Sequence, residues 1–329
     1  MASRRRDHLG QSLYASCGEL RLRPNSNPAD APHHGCRRTE LLGRDGPMSH
    51  KITPLSDKLG VEVTGLDLRQ AMNDEEKADV NRAFVDNVIL VFRDQELSAQ
   101  QFYDAARQLG EPMTQHLSQF KVPECPMVSY VSNQEKTDAG KRKLLGQAWH
   151  TDHSFQPEPP KATMLHGVEL PKQGGDTWFS NMRLAYDTLP ADLKSQVDGL
   201  EAIHAYRESR DYMSKEEREA ETLSDEEERA NNTVHPVIRT HDVTGTKAIY
   251  INPLRIKRFI GMGSDESADL LEQLTVHATK DEFTYAHSWR QGDVIIWDNR
   301  QAMHRVEHNY DLTEKRLMHR IILKGIKPE

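Results

Sequence analysis

Cysteine is scarce, with Cys17, Cys36 and Cys125 the only three in 329 residues. An odd count without paired spacing excludes a disulfide framework and a thiolate zinc site, and leaves reduced cysteines in a cytoplasmic protein as the expectation. Aromatic residues make up only 6%, with no cluster along the chain of the kind that cages a quaternary ammonium. No run of about 18 apolar residues exists, so no membrane-spanning segment is expected. The start carries Arg4, Arg5 and Arg6 but lacks the apolar stretch of a secretory signal. Positive charge is in deficit too. A formal net charge of -8 argues against a general nucleic-acid binder, whose footprint is a basic face. An anionic small molecule would then have to be held by a few local Arg or His residues.

Against these absences stand 36% hydrophobic and 29% charged residues, enough for a buried core under a well-solvated surface. Residues 1–47 carry Pro24, Pro28, Pro32 and Pro47 without sustained periodicity. They are expected to be a disordered extension, with a targeting segment and an extension that begins upstream of a functional start near Met48 both left open. Residues 48–329 are expected to form one domain. Asn73 with Glu76, and Ser98 with Gln101, have capping-box spacing and predict helices to about Asn87 and through Leu109, the second closed by Gly110. The apolar run Val88–Phe92 between them predicts a strand buried on both faces.

From Met127 the texture changes to short apolar strands separated by turn residues, among them Ala162–Val168, Val237–Thr240, Ala248–Ile251, Asp293–Trp297 and Leu317–Leu323. This pattern predicts a mainly β fold with flanking helices, a sandwich or jelly roll, with a late helix over about Glu266–Ala278. Residues 214–232 hold eight acidic side chains and are expected to be a solvated insertion, a lid being the sharper reading.

Trp149-His150-Thr151-Asp152 places two metal-ligating side chains two residues apart, which an extended edge would turn to one side. His304 follows the apolar strand ending in Trp297-Asp298. Two imidazoles and one carboxylate make the facial triad of non-haem Fe(II) oxygenases, which leaves three metal positions open. His-x-Asp alone carries little weight, because 16 histidines give about one such match by chance.

The surroundings are more specific. The blocks Val91-Phe92-Arg93-Asp94-Gln95, Trp149–Asp152 with Phe155 and Pro159-Pro160, Gly174-Gly175-Asp176-Thr177, and Trp297-Asp298-Asn299-Arg300 with His304, Arg316 and Arg320 occur in that order. By these residues the chain resembles the taurine and phenoxyacetate-herbicide dioxygenases (TauD/TfdA) over roughly Ile52 to Pro328. The resemblance implies a double-stranded β-helix, a cupin-like jelly roll of the clavaminate synthase type. It implies Fe(II) on His150, Asp152 and His304, and 2-oxoglutarate as co-substrate with Thr177 and Arg316 on its distal carboxylate. A guanidinium fork suits that carboxylate physically. The implied reaction joins O2 to decarboxylation, releases succinate and CO2 and hydroxylates a C–H bond, with ascorbate as a stimulant. The carboxylate of Asp152 favours hydroxylation over halogenation, since related halogenating enzymes carry a small residue there.

For the substrate, the resemblance points to Arg320 and His116 as contacts for a sulfonate, sulfate ester or aryloxyalkanoate. Gly146 and Gln119 depart from the taurine pattern and put an amine-recognising site in doubt. Arg255 and Lys257 fall in a segment that lines the pocket in relatives, and the plainer reading makes them solvated loop cations. His319 alternates away from Arg320 and receives no role. A betaine-type trimethylamine hydroxylase and a metal-dependent hydrolase stand as alternatives, and self-association is left open.

Overall fold

Periodicity in the sequence resolves into two packed β layers with helices outside. The protein is seen in a computed structural model, which describes residues 50–114, 120–135, 144, 146–206 and 232–329. The expected N-terminal extension, all of the acidic insertion but Asn232, and both His116 and Gln119 lie outside the described residues. In chain order the strands are β1 (Lys51–Pro54), β2 (Val61–Thr64), β3 (Ile89–Phe92), β4 (Pro112–Met113), β5 (Lys121–Val122) and β6 (Cys125–Ser132). There follow β7 (Ala162–Glu169), β8 (Thr177–Asn181), β9 (Glu201–His204), β10 (Thr233–Pro236), β11 (Ile238–Thr240) and β12 (Lys247–Ile249). The last are β13 (Ile256–Phe259), β14 (Thr284–His287), β15 (Val294–Asp298), β16 (Ala302–Val306) and β17 (Leu317–Leu323).

The larger sheet runs β1-β2-β3-β15-β7-β17-β6-β5, with β4 also on β17, and only the β2–β3 pair is parallel. Strands β14-β8-β16 make the sheet that faces it, while β10-β9-β13 and β11-β12 form smaller sheets. This is the mainly β jelly roll expected. Strand β3 explains the layering. Leu90 and Phe92 pack with the helices on one face, while Ile89 and Val91 pack with Phe179 and Trp297 on the other. All four are fully buried, so the strand shows no polar alternation, because both faces are covered. Phe92→Ala would cost about 3–5 kcal/mol, the usual range for emptying such a site.

Helices α1 (Asp74–Asn87) and α2 (Ala99–Leu109) cover the outer face, and both capping boxes are formed in full. Gly110 ends α2 for a reason other than the one expected. Its φ of 167° is ordinary extended backbone, so no left-handed cap is present. A Cβ there would instead lie 2.8 Å from Lys161 Cε, so glycine makes room for the lysine, whose Nζ donates to the Leu109 carbonyl. Short helices α3 (Met182–Asp187) and α4 (Ala191–Val197) follow β8, and α5 (Ser264–Ala278) covers the smaller sheets. Leu270, Leu271, Leu274 and Ala278 form its buried stripe at helical spacing. No helix among the described residues is long and apolar enough to cross a membrane. Cys125 is buried and free.

Candidate metal centre and adjoining cavity

His150, Asp152 and His304 meet between the two layers, each with a ligating atom within 4.8 Å of the others. Strand alternation is not what brings them together. His150 pairs with His304 in an isolated antiparallel bridge, with N–H to carbonyl distances of 3.0 and 2.8 Å. Asp152 lies beyond it in a turn whose next residue, His153, has the left-handed φ of 49°. His304 follows β15, as expected, and stands in the middle of β16 on the opposite layer. The metal-facing set therefore bridges the sheets, and the site depends on their stacking.

Hydrogen bonds orient each group. His150 Nδ1 lies 2.8 Å from the Ala148 carbonyl, which takes its proton and leaves Nε2 as the lone-pair nitrogen. Thr163 of β7 donates to Asp152 Oδ2 at 2.6 Å, and Asn299 donates to Thr163 at 3.0 Å. Trp297 Nε1 donates in turn to Asn299 Oδ1, while the Thr151 hydroxyl donates to the Asn299 carbonyl. The Trp-Asp-Asn-Arg block thus supports the ligands from behind. Its Asp298, wholly buried, accepts from His241 and Arg300, and Arg300 reaches Asp242.

Burial works against charge on Asp152, but the neighbouring His304, Arg320, His150 and His153 prevail and hold the carboxyl well below the usual carboxylate range. Burial, then the adjacent His150 ring, push His304 down to about 3, so its imidazole is neutral at physiological pH. Oδ2 of Asp152 and Nε2 of His304 are 4.0 Å apart, too far for a hydrogen bond to join them. A neutral His304 imidazole and an ionised carboxylate, with the His150 ring beside them and no hydrogen bond joining the three side chains, suit a divalent cation.

Arg316, beside Gly175, and Thr177, two residues further along the same segment, are the next polar groups. Arg316 is buried and donates from Nη2 to the Gly175 carbonyl at 3.1 Å. Its Nε is buried without a partner, an orphan that an incoming carboxylate would satisfy. Burial lowers its pKa to about 10, which still leaves it charged. Thr177 stands opposite Val306 on β16, two residues along from the Phe179–His304 pair. Its Oγ1 accepts from Trp289 Nε1, so the hydroxyl proton remains to be donated. Gly175 has φ 76°, and a Cβ there would come within 3.2 Å of Arg316 Nε. These contacts fit a bound carboxylate.

A cavity of about 330 Å³ opens beside the centre, with His150, Asp152, Gly146 and Arg320 on its wall. Arg320 Nη2 lies 3.2 Å from His153 Nε2. Two expectations need correction. Although the sequence shows no aromatic cluster, the fold assembles Phe120, Tyr130, Phe155 and Tyr206 around this cavity from separate segments. Arg255 also lines it, half-buried between the Phe155 and Tyr206 rings, and is no solvated loop cation. Lys257 does not line the cavity, and His319 packs near His166 away from it.

Sequence reasoning missed the supporting residues Thr163 and Asn252, and Arg305, which lies 5.4 and 5.0 Å from the Trp149 and Trp178 rings. Arg305 and Trp149 each adjoin a triad histidine, the one signal that could have marked them.

The profile of the taurine catabolism dioxygenase TauD, TfdA family matches residues 51–322. The chain is similar to the alpha-ketoglutarate-dependent 2,4-dichlorophenoxyacetate dioxygenase of Cupriavidus pinatubonensis, 35% identical over 83% of this chain and 97% of that protein. It is 31% identical to the alpha-ketoglutarate-dependent sulfate ester dioxygenase of Pseudomonas putida, over 84% of this chain and 90% of the relative. A crystal structure of a taurine dioxygenase from Burkholderia xenovorans superposes with a TM-score of 0.70 at 33% identity, covering 85% of this chain and 92% of the other.

Proposed function

The chain belongs to the TauD/TfdA family of Fe(II)- and 2-oxoglutarate-dependent dioxygenases, and from that premise we propose that it hydroxylates a small organic anion held beside its metal. In this reading His150, Asp152 and His304 hold the ferrous ion, and Thr177 and Arg316 hold the distal carboxylate of 2-oxoglutarate. When bound, iron and 2-oxoglutarate would activate O2, the oxidative decarboxylation of 2-oxoglutarate to succinate and CO2 supplying two of the four electrons O2 takes up and the substrate C–H bond the other two. The residues of this chain do the positioning. Thr163 fixes the rotamer of Asp152, the Ala148 carbonyl fixes the tautomer of His150, and the orphaned Arg316 Nε is matched by a carboxylate oxygen. Arg320, on the cavity wall with Asp152, receives the acid group of the substrate.

One observation carries this reading: three ligand atoms lie within 4.8 Å of one another, and two of the residues that bear them, His150 and Asp152, line with Arg320 a cavity large enough for a small molecule. Relatives named for a phenoxyacetate and for sulfate esters support an aryloxyalkanoate or sulfate ester as the substrate class. A trimethylammonium substrate fits less well, because the Phe155–Tyr206 pair already carries a cation, Arg255, and Arg320 adds a second. Ascorbate as a reductant that keeps the metal ferrous, and a cytoplasmic location, belong to the same reading.

The test is succinate release with Fe(II), 2-oxoglutarate and a panel of aryloxyalkanoates, alkyl sulfates, sulfonates and trimethylammonium compounds. We expect turnover with an anion, lost in His150→Ala and Arg316→Ala. A preference for cationic or uncharged compounds would overturn the anion class. Zinc-supported turnover without 2-oxoglutarate would overturn the reaction class.

A further inference from the structure

Two carboxylates and two guanidinium groups line the cavity, those of Glu135, Asp152, Arg255 and Arg320. Asp152 faces the metal-ligating pair, Arg320 is taken by the reading above, and Glu135 accepts from the Tyr130 hydroxyl at 3.1 Å. Arg255 is left over. Its guanidinium carbon lies 5.5 Å from the ring centroids of both Phe155 and Tyr206, which themselves meet at 4.8 Å and 64°. Nη1 donates to the Tyr206 carbonyl.

The turn beneath it is tied to the metal-bearing segment. Asn252 donates to the Thr151 carbonyl at 2.7 Å and to Ser154 Oγ at 2.9 Å, accepts from Leu254 N through its side chain, and accepts from Arg255 N through its carbonyl. Arg255 is therefore fixed in place before any ligand arrives, and a fixed guanidinium loses less entropy on binding than a free one.

What it lacks among the described residues is a counter-charge. Arg93 and Arg300, also withdrawn from water, each have two carboxylates, Glu62 and Asp293 for the first, Asp298 and Asp242 for the second. Among the described residues no carboxylate pairs with Arg255. A half-buried cation compensated only by aromatic faces and one carbonyl is poised for an anion.

We propose that Arg255 is a second anion contact, so that the preferred substrate is a doubly acidic compound with an apolar body. One acid group lies at Arg320 beside the metal, and the other at Arg255 against the Phe155–Tyr206 wall. This rests on the reading of Arg320 given above. Specificity for two charges follows from having both guanidinium groups in one cavity, since a monoanion seated at Arg320 leaves Arg255 without an anionic partner.

The experiment measures binding of matched pairs by calorimetry, anaerobically, to the Mn(II)- and 2-oxoglutarate-loaded protein. The pairs are phenoxyacetate against 3- and 4-carboxyphenoxyacetate, and hexyl sulfate against 6-sulfooxyhexanoate. In the wild type the dianion of at least one pair should bind about tenfold more tightly than its monoanion, as a charge-assisted contact provides. In Arg255→Gln that ratio should fall to near one, and in Arg255→Lys it should be partly kept. No dianion preference in the wild type, or a preference that survives in Arg255→Gln, overturns the proposal. Arg320→Gln separates the two readings. If it weakens both members of a pair while Arg255→Gln leaves the ratio intact, only the second contact is wrong. If it weakens neither, the placement of the first acid group fails and this proposal with it.

Discussion

Thr163 donates to Oδ2 of Asp152 at 2.6 Å, with both residues buried and the hydroxyl held from behind by Asn299. The threonine lies on a different strand from every proposed ligand, so it ties the turn carrying Asp152 to the larger sheet. Thr163→Val keeps the volume but frees the carboxylate to rotate. Outer partners of this kind are worth about 10–100-fold in metal affinity. Chelator competition under anaerobic conditions should show a loss of that size, with Thr163→Ser close to wild type. Unchanged affinity in a folded Thr163→Val would remove the positioning role.

Arg316 should govern the co-substrate and not the metal. Arg316→Lys keeps the charge but loses the planar fork, whose Nη2 donates to the Gly175 carbonyl. Disturbing a buried charged contact costs about 2–5 kcal/mol. The KM for 2-oxoglutarate should therefore rise on the order of 100-fold, while metal affinity measured without co-substrate stays near wild type. The anaerobic Fe(II)–2-oxoglutarate absorption band reads the same effect, and an unshifted titration would exclude the contact.

Stability should fall with acid for a reason that lies away from the metal. His235 is buried, with Nε2 on the Gln156 carbonyl and its ring edge-on to His204 at 5.2 Å. Burial pushes it from 6.5 down to about 4. A folded pKa below the unfolded one means the unfolded chain takes up the proton first. The stability this group contributes is present above pH 6.5 and is lost as pH falls toward 4, by ~3 kcal/mol at most. His204, also lowered by burial, acts in the same direction. The Tm of metal-free protein should drop across this window, and His235→Gln should flatten the drop. Parallel curves for the two proteins would show that His235 does not titrate on unfolding.

The triad was legible through the blocks around it, Trp149–Asp152, Gly174–Thr177 and Trp297–Arg300 in that order, and not through the His-x-Asp spacing, which 16 histidines yield about once by chance. The sequence could not disclose Thr163 or Asn252, because hydroxyls and amides are common and only the sheet register puts Thr163 beside Asp152. Helices α1 and α2 were legible through their capping boxes, which are local chemistry. The strand pairings were not, since β7 lies between β15 and β17, more than 120 residues away along the chain. Arg255 was misread for a related reason. Its partners Phe155 and Tyr206 are distant in sequence, and without them an arginine after a turn looks solvated.

The Gly174-Gly175 pair offers the sharpest link from sequence to function. Both have left-handed φ, 74° and 76°, but a Cβ on Gly175 would also press within 3.2 Å of Arg316 Nε. Gly175→Ala should combine ordinary backbone strain, about 1–2 kcal/mol, with displacement of the guanidinium. Gly199, at φ 73° with nothing within 4 Å of its would-be Cβ, supplies the control. Gly199→Ala carries the same strain without touching Arg316, so both variants should lose several degrees of Tm. Only Gly175→Ala should also raise the KM for 2-oxoglutarate, by about tenfold if the guanidinium contact weakens by ~1.4 kcal/mol. Equal KM values in the two variants would mean that this glycine serves the turn alone, and that Arg316 has room to move without consequence for the co-substrate.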